Sequence, residues 1–446
     1  MRKERRIEKI TTETLPAIIC LMRRLIRGIF ETATFRQTLI TTFGTIVNGA
    51  LGAIFYIFSA RYLGPAGFGL MIVAITVLTL VSDISDLGTD TGLVRFVGKY
   101  ISVDLDKARR FLKLGLEIKL VVWVTVLIIG WLLSPLIADG IFVKHSLVTP
   151  IRLAFVGVGS SLLFSFLVRT LQGLQKFWLW SLFQIATNAL RLILVGGLLI
   201  LGVFRVEGVL AVYITTPILG FIVGLAYLPK NFLKVDNEKA VFKEFFHFNK
   251  WVALFTFVAA ISSRLDTFIS ARLISATELG FYAAASQLAA IIPQIVGALG
   301  TVISPKMASM GSIIELKSYL KKTFSLVIVL AVLAIISIPI SVFLIPVLYG
   351  KAYSAAIPMF IVLFLGLLFF LVSVPIHSAI FYYFSYPKLF FWLSLANILI
   401  VAVVGYYMIS LFGAVGAAMS VFISNAFNFI VPTLWLARRL KKEGTT

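Results

Sequence analysis

The sequence predicts an all-α polytopic membrane protein of about twelve transmembrane helices, arranged as two parallel six-helix lobes. Three observations predict it. The chain is 60% hydrophobic and only 13% charged, with a mean hydropathy of +1.02, well outside the range of soluble domains. Apolar runs long enough to cross a bilayer recur from about residue 37 to 437. They are continuous rather than alternating at period two, which excludes a β-barrel. The third observation is a repeat. Ser59-Ala60-Arg61 is followed by Gly69, and Ser270-Ala271-Arg272 by Gly280, at the same spacing and at an offset of 272 − 61 = 211, close to half of the 446 residues.

Taken in order, residues 1–36 are basic, with an apolar piece at 15–22 too short to span. No small-residue cleavage site follows it, so a removable signal peptide is not expected. An interfacial helix on the cytoplasmic face is, with Met22 as an alternative start. Twelve spans then follow at about 37–60, 68–88, 114–137, 147–169, 178–201, 206–228, 250–273, 279–303, 323–349, 354–378, 388–410 and 413–436, ending in a tail at 438–446. With the N-terminus inside, 31 of the 40 Lys and Arg fall in cytoplasmic segments, 5 in outer loops and 4 within spans. That asymmetry places both termini in the cytoplasm. It also accounts for the net charge of +21 as a topology signal, so no nucleic-acid partner is expected.

The N-lobe is read as 37–229 and the C-lobe as 250–437, joined by a charged cytoplasmic linker at 230–249. Asn188 and Asn397 (397 − 188 = 209) and Gly208 and Gly416 (416 − 208 = 208) continue the repeat. Six is an even number of crossings, so the second copy enters from the same side as the first. Parallel repeats of this kind set a substrate path between the lobes and permit alternating access by rocking. The single Cys20 excludes an intrachain disulfide. His145, His247 and His377 lie in separate segments, so no metal site is expected.

Several stretches resemble one family. Arg61-Tyr62-Leu63-Gly64-Pro65-Ala66-Gly67-Phe68-Gly69-Leu70 is similar to its turn after the first span. Asp86-Leu87-Gly88 with Leu93-Val94-Arg95-Phe96 resembles the end of its second span, and Leu171-Gln172-Gly173-Leu174-Gln175-Lys176-Phe177 its fourth-to-fifth connection. Leu279-Gly280-Phe281-Tyr282 is similar to its span 7–8 turn and Phe412-Gly413-Ala414-Val415-Gly416-Ala417-Ala418 to its last hairpin. The family is that of the polysaccharide flippases (Wzx-like, of O-antigen and teichoic-acid type). It belongs to the superfamily that also holds multidrug and toxic-compound extrusion (MATE) transporters and lipid II flippases. The resemblance covers 37–437 and implies a V-shaped pair of lobes around a polar, often cationic cavity. It implies a substrate, an oligosaccharide linked to a polyprenyl phosphate or diphosphate, moved to the outer leaflet of the cell membrane by a monomer. Membrane lipids and the glycosyltransferases or polymerase of the same pathway would be its partners.

Ionisable residues inside spans are costly and face a cavity or a partner. Arg264 and Asp266 in span 7 are two apart and do not face each other on a helix. Arg264 is read as a phosphate ligand in the cavity, against the alternative of an interhelical ion pair; its guanidinium fork suits a diphosphate. Asp266 would tune it, meet sugar hydroxyls, or bind a coupling Na⁺ or H⁺; no cofactor is expected. Arg191 and Arg152 are further cationic candidates, and Asn48, Gln287 and Gln294 are amides suited to sugar hydroxyls or to interhelical bonds. Arg61 and Arg272 are gate candidates, although interfacial anchoring with helix C-terminal capping is the preferred reading. Asp83, Asp86, Glu117 and Lys119 would form a charge network at the inner ends of spans 2 and 3, closing a gate or holding two helices together. Pro217 and Pro293 are read as kinks.

The alternatives differ in chemistry. A MATE-type antiporter for cations relies on buried acids, commonly in span 1, and 37–60 holds neither Asp nor Glu. A lipid II flippase commonly carries two more spans. A membrane enzyme would need a soluble domain or an acidic or His cluster in a loop; 89–113 and 230–249 are short and basic, without a phosphate-binding Gly loop or metal motif. No catalytic residue is therefore expected.

Overall fold

The computed structural model describes residues 33–443, so the expected interfacial segment at 1–32, with Cys20 and Met22, lies outside the described residues. Those described are helical, without a strand. The helices are α1 (Ala33–Ser85), α2 (Thr89–Tyr100), α3 (Leu105–Leu136), α4 (Val148–Gly173), α5 (Phe177–Ile200), α6 (Val206–Gly224), α7 (Lys239–Ser262), α8 (Leu265–Leu273), α9 (Ala276–Ala289), α10 (Ile291–Ala308), α11 (Ile313–Tyr349), α12 (Ile357–Ser378) and α13 (Lys388–Glu443).

Among the described residues, 10 helical stretches are long and apolar enough to cross a membrane. The difference from twelve lies in α1 and α13. They hold 53 and 56 residues, so a straight helix of either length would run about 80 Å, more than twice a hydrocarbon core of about 30 Å. Each is broken by a glycine in a non-helical, positive-φ conformation that side-chain-bearing residues avoid: Gly64 (φ 68, ψ 174) and Gly413 (φ 57, ψ −136). In α13 the reversal is visible in the packing. Gly416 lies so close to the Met408 carbonyl that a Cβ would collide with it. Across the hairpin the Asn397 side chain accepts hydrogen bonds from Ser424 and, at 3.3 Å, from Asn428.

Other expectations are corrected. Span 7 is two helices, because α7 ends at Ser262 and Arg264 takes a non-helical conformation (φ −130, ψ 2) ahead of α8. Span 8 divides at Ala290, three residues before Pro293, whereas α6 continues through Pro217. The expected loop at 89–113 is mostly helix, and the linker at 230–249 gives its second half to α7.

Three apolar cores give the molecule its shape. One runs through both lobes at the end that carries Arg61 and Arg272, joining Phe55, Phe68 and Met71 to Tyr282, Tyr353 and Phe360. At the opposite, basic end the cores are separate. Leu93, Phe111, Phe166 and Phe245 form one, and Met307, Leu316, Ile376 and Leu436 the other. The lobes are therefore fused at one end and parted at the other. Helix α7 crosses this division. Its first half comes from the linker, and there Phe245 packs on Phe96 and Phe111 of the N-lobe at ring separations of 5.9 and 5.8 Å. Helix α8 packs on α13 in the C-lobe.

Candidate functional site

Arg264 sits at the seam between the lobes, in the break between α7 and α8. A helix that stops there leaves its backbone free to turn the side chain across the seam. The guanidinium meets Asp83 on α1 at 2.8 Å. Its Nε donates to the Thr79 hydroxyl at 3.1 Å, and a second arm donates to Ser263 at 3.1 Å. All three nitrogens are thus engaged, which is the interhelical ion pair weighed above. The pair is not enclosed: the side chains are 24% and 45% exposed. Asp266, on the first turn of α8, instead accepts from the hydroxyl of Tyr282, which is buried. Arg264 and Asp266 have separate partners, as their spacing requires.

The network expected from Asp83, Asp86, Glu117 and Lys119 divides three ways. Asp83 goes to Arg264. Lys119 is fully buried and holds Asp86 at 2.6 Å and Asp90 at 2.9 Å. Arg169 closes on Asp90 at 3.2 Å, and Thr89 donates to Asp86 at 2.7 Å. Glu117 turns away to accept from Asn237 at 3.0 Å, because two residues on a helix place it on another face from Lys119. Asp90 and Arg169 were missed by sequence reasoning. The spacing of Asp86 and Asp90, four apart, was the available signal.

The N-lobe holds a cavity of ≈ 340 Å³ lined by Thr79, Ser165, Arg169, Gln184, Arg191 and Tyr213, among others. Arg191 lies over the Tyr213 ring at 4.2 Å and donates to Asn188 at 2.7 Å. Asn188 in turn donates to Asn48, so this candidate amide is spent on an interhelical bond. Thr79 links the cavity to the seam, since its hydroxyl also meets Arg264. Arg152 is not brought to this place; it lies 5.2 Å from the Trp131 ring. Gln287 is half-buried on α9 and Gln294 exposed on α10. The structure does not gather these seven candidates into one site.

Arg61 and Arg272 do form a matched pair. Arg61 reaches across the seam to the carbonyls of Val347 and Leu348, at 3.0 and 3.5 Å, where α11 ends. Arg272 reaches the other way to Gly140 and Ile141, at 3.0 and 2.7 Å, where the third span ends. The last carbonyls of a helix lack internal partners and carry its negative dipole end, so a guanidinium suits them. Tyr353 donates to the Ala60 carbonyl at 2.8 Å and Lys144 to that of Ala271 at 2.6 Å, again one bond in each direction. Burial holds the Lys144 amine below the usual lysine range, with Glu278 pulling it the other way. Beneath this clasp α1 and α9 cross closely. A Cβ on Gly69 would strike the Ala276 carbonyl, and one on Gly280 the Pro65 carbonyl. The two contacts share one offset, 280 − 69 = 276 − 65 = 211. The capping expected of these arginines is present, but on helices of the opposite lobe.

Among the described residues no group of three His, Cys, Asp or Glu is placed to hold a metal ion.

Comparison with known proteins bears on this geometry. The profile of a family described as polysaccharide biosynthesis protein matches residues 34–311. A protein named "Putative O-antigen transporter" from Shigella flexneri is 23% identical over 382 residues, covering 81% of this chain and 88% of that one. The fold is similar to that of the lipid II flippase MurJ in an inward closed conformation, with a TM-score of 0.69 at 15% identity over 90% of this chain and 87% of that one. It is also similar to an inward-facing MATE family multidrug transporter, with a TM-score of 0.67 at 15% identity over 90% and 96% of the two chains.

Proposed function

The chain belongs to the polysaccharide biosynthesis protein family, and from that membership we propose that it is a flippase. It carries a polyprenyl-(di)phosphate-linked oligosaccharide from the cytoplasmic to the outer leaflet of the cell membrane. The observation that carries this reading is the asymmetry of the seam: lobes clasped at one end and parted at the other. The positive-inside rule assigns the parted, basic end to the cytoplasm, so this conformation accepts substrate from inside. Rocking about the seam would break the clasp and present the substrate outside.

Arg264 is the group we assign to the lipid phosphate. Its guanidinium lies on the seam, and in this state it is neutralised through one contact with Asp83 rather than buried bare. A diphosphate carries more charge than one carboxylate, and two of its oxygens can engage the guanidinium fork together. Arriving substrate would therefore take Arg264 from Asp83, loosening a bond between the lobes as it binds. Arg191, in the cavity reached through Thr79, supplies a second cation. Of the acids beside Arg264, Asp83 is paired with it and Asp266 is held by Tyr282. That chemistry suits an anionic substrate better than a cationic drug.

The test separates a ligand from a structural pair. Arg264→Ala should abolish complementation of a flippase-deficient strain and headgroup transfer in liposomes while insertion persists. The swap Arg264→Asp with Asp83→Arg rebuilds the ion pair but moves the cation to the other lobe. Transport should stay lost in the swap; recovery of normal transport there would reduce Arg264 to a strut.

A further inference from the structure

A second cluster lies away from the seam residues, at the basic end, between α2 and the first half of α7. A cavity of ≈ 740 Å³ opens there, lined by Arg95, Lys99, Lys243, His247, Phe248 and Trp251 with their neighbours. The spacing explains the convergence. Arg95 and Lys99 are four apart on α2, while Lys243, His247 and Trp251 follow at intervals of four on α7. Each set therefore shares one helix face.

The lining is cationic in a specific way. Its one acid, Glu244, is already spent: Lys107 sits 2.9 Å from one oxygen and the Tyr100 hydroxyl donates to the other at 2.9 Å. Arg95 and Lys243 form no ion pair among the described residues. The Arg95 guanidinium lies 4.3 Å from the Phe248 ring centroid, which supports its flat face and leaves its N–H edge free. Above the cations α7 turns a run of large apolar side chains outward: Trp251 is 66% exposed, Leu254 58% and Phe255 75%. A tryptophan over basic residues is the pattern of a membrane interface. The lining includes no Ser, Thr, Asn or Gln, so it lacks the neutral hydrogen-bonding side chains that read a glycan.

We propose that this cavity is a binding site for an anionic phospholipid of the cytoplasmic leaflet. The phosphate lies among Arg95, Lys99 and Lys243, and the acyl chains run along Trp251, Leu254 and Phe255. Basic pockets on the cytoplasmic side of transmembrane helices favour such headgroups. Bound there, the lipid bridges α2 to α7 and fastens the first half of α7 to the N-lobe. The site stands apart from the transport reading, because lipid occupancy is measured without turnover.

The experiment uses the full-length protein in detergent at low salt, titrated with phosphatidylglycerol, phosphatidylcholine and undecaprenyl diphosphate, and read by native mass spectrometry. Phosphatidylglycerol should bind in preference to phosphatidylcholine. Arg95→Gln with Lys243→Gln should weaken it about fivefold per cation removed, roughly 25-fold together. Lys317→Gln with Lys321→Gln, which removes two exposed cations elsewhere, should leave it unchanged. As a readout in the intact chain, brominated phosphatidylglycerol should quench Trp fluorescence less in Trp251→Phe than in the parent. Equal losses in the two double variants would reduce the effect to bulk charge and overturn the site. So would a loss confined to undecaprenyl diphosphate, which would make the cavity a substrate entrance.

Discussion

Lys119 shows what a single buried charge does in this molecule. Its side chain is fully buried between Asp86 and Asp90, which are themselves only 14% and 20% exposed. A lone ammonium at this depth would be prohibitive; paired with two carboxylates it is tolerated and ties α3 to the turn between α1 and α2. Lys119→Met should leave those carboxylates short of a partner and cost about 3 kcal/mol or more, read as a fall in thermal unfolding temperature in detergent. Lys113→Met gives up a bond to the Val235 carbonyl at 2.7 Å and a 3.9 Å contact with the exposed Glu117; with no buried carboxylate left unpaired, it should cost well under half as much. A Lys119→Met protein as stable as the parent would show that Arg169 alone satisfies the acids. Lys119 and Asp86 were legible in the sequence as costly charges inside apolar runs. Asp90 was passed over, because it stands in what reads as a polar loop and is in fact the first turn of α2; its spacing of four from Asp86 was the one pointer to it.

At the scale of elements, the breaks decide what the helices can do. Gly64 and Gly413 mark where α1 and α13 stop being single rods; the first was visible as a turn signal beside Pro65, the last through the resemblance of Phe412–Ala418 to a hairpin. The crossing of α1 and α9 demands two further glycines for a different reason. Gly69 and Gly280 are not turns; they let one helix backbone reach a carbonyl of the other. Because the two contacts are related by the repeat, Gly69→Ala and Gly280→Ala should be equally harmful. Each should cost about 1–3 kcal/mol by overpacking and lower transport, with thermal stability and liposome transfer as readouts. Unequal losses would show that the two crossings are not equivalent. The interruption of span 7 at Ser263–Arg264 gave no such signal, since the stretch contains neither glycine nor proline. It is stabilised by what the Arg264 side chain finds across the seam.

The whole molecule is governed by the balance between its two ends. The clasp contributes hydrogen bonds from Arg61, Arg272, Tyr353 and Lys144, laid over one continuous apolar core. A single charge-assisted hydrogen bond is worth about 1.5–3 kcal/mol when protected, and less at the exposed arginines. Removing both arginines should therefore shift the population rather than unfold the protein. Spin labels at Tyr62 and Lys351, both exposed at this end, should report a short separation in the parent and a longer, broader one in Arg61→Ala with Arg272→Ala. An unchanged distribution would leave the apolar core as the clasp by itself.

What the sequence determined by itself is everything carried by local composition. Hydropathy fixes a helical, multi-pass chain. Glycine marks the first and last turns, with Pro65 beside it in the first. Self-similarity at an offset near 211 sets out two halves, because an amino acid's cost in a bilayer and its helix preference do not depend on distant residues. The tertiary structure alone decided how those charges are spent. Arg264 meets Asp83 from 181 positions away (264 − 83), and the two clasp arginines cap helices of the opposite lobe. Such pairings depend on the rotation and depth of one helix against another. A shift of one residue turns a side chain by about 100°, and a single sequence with no packing partner in view contains no measure of it.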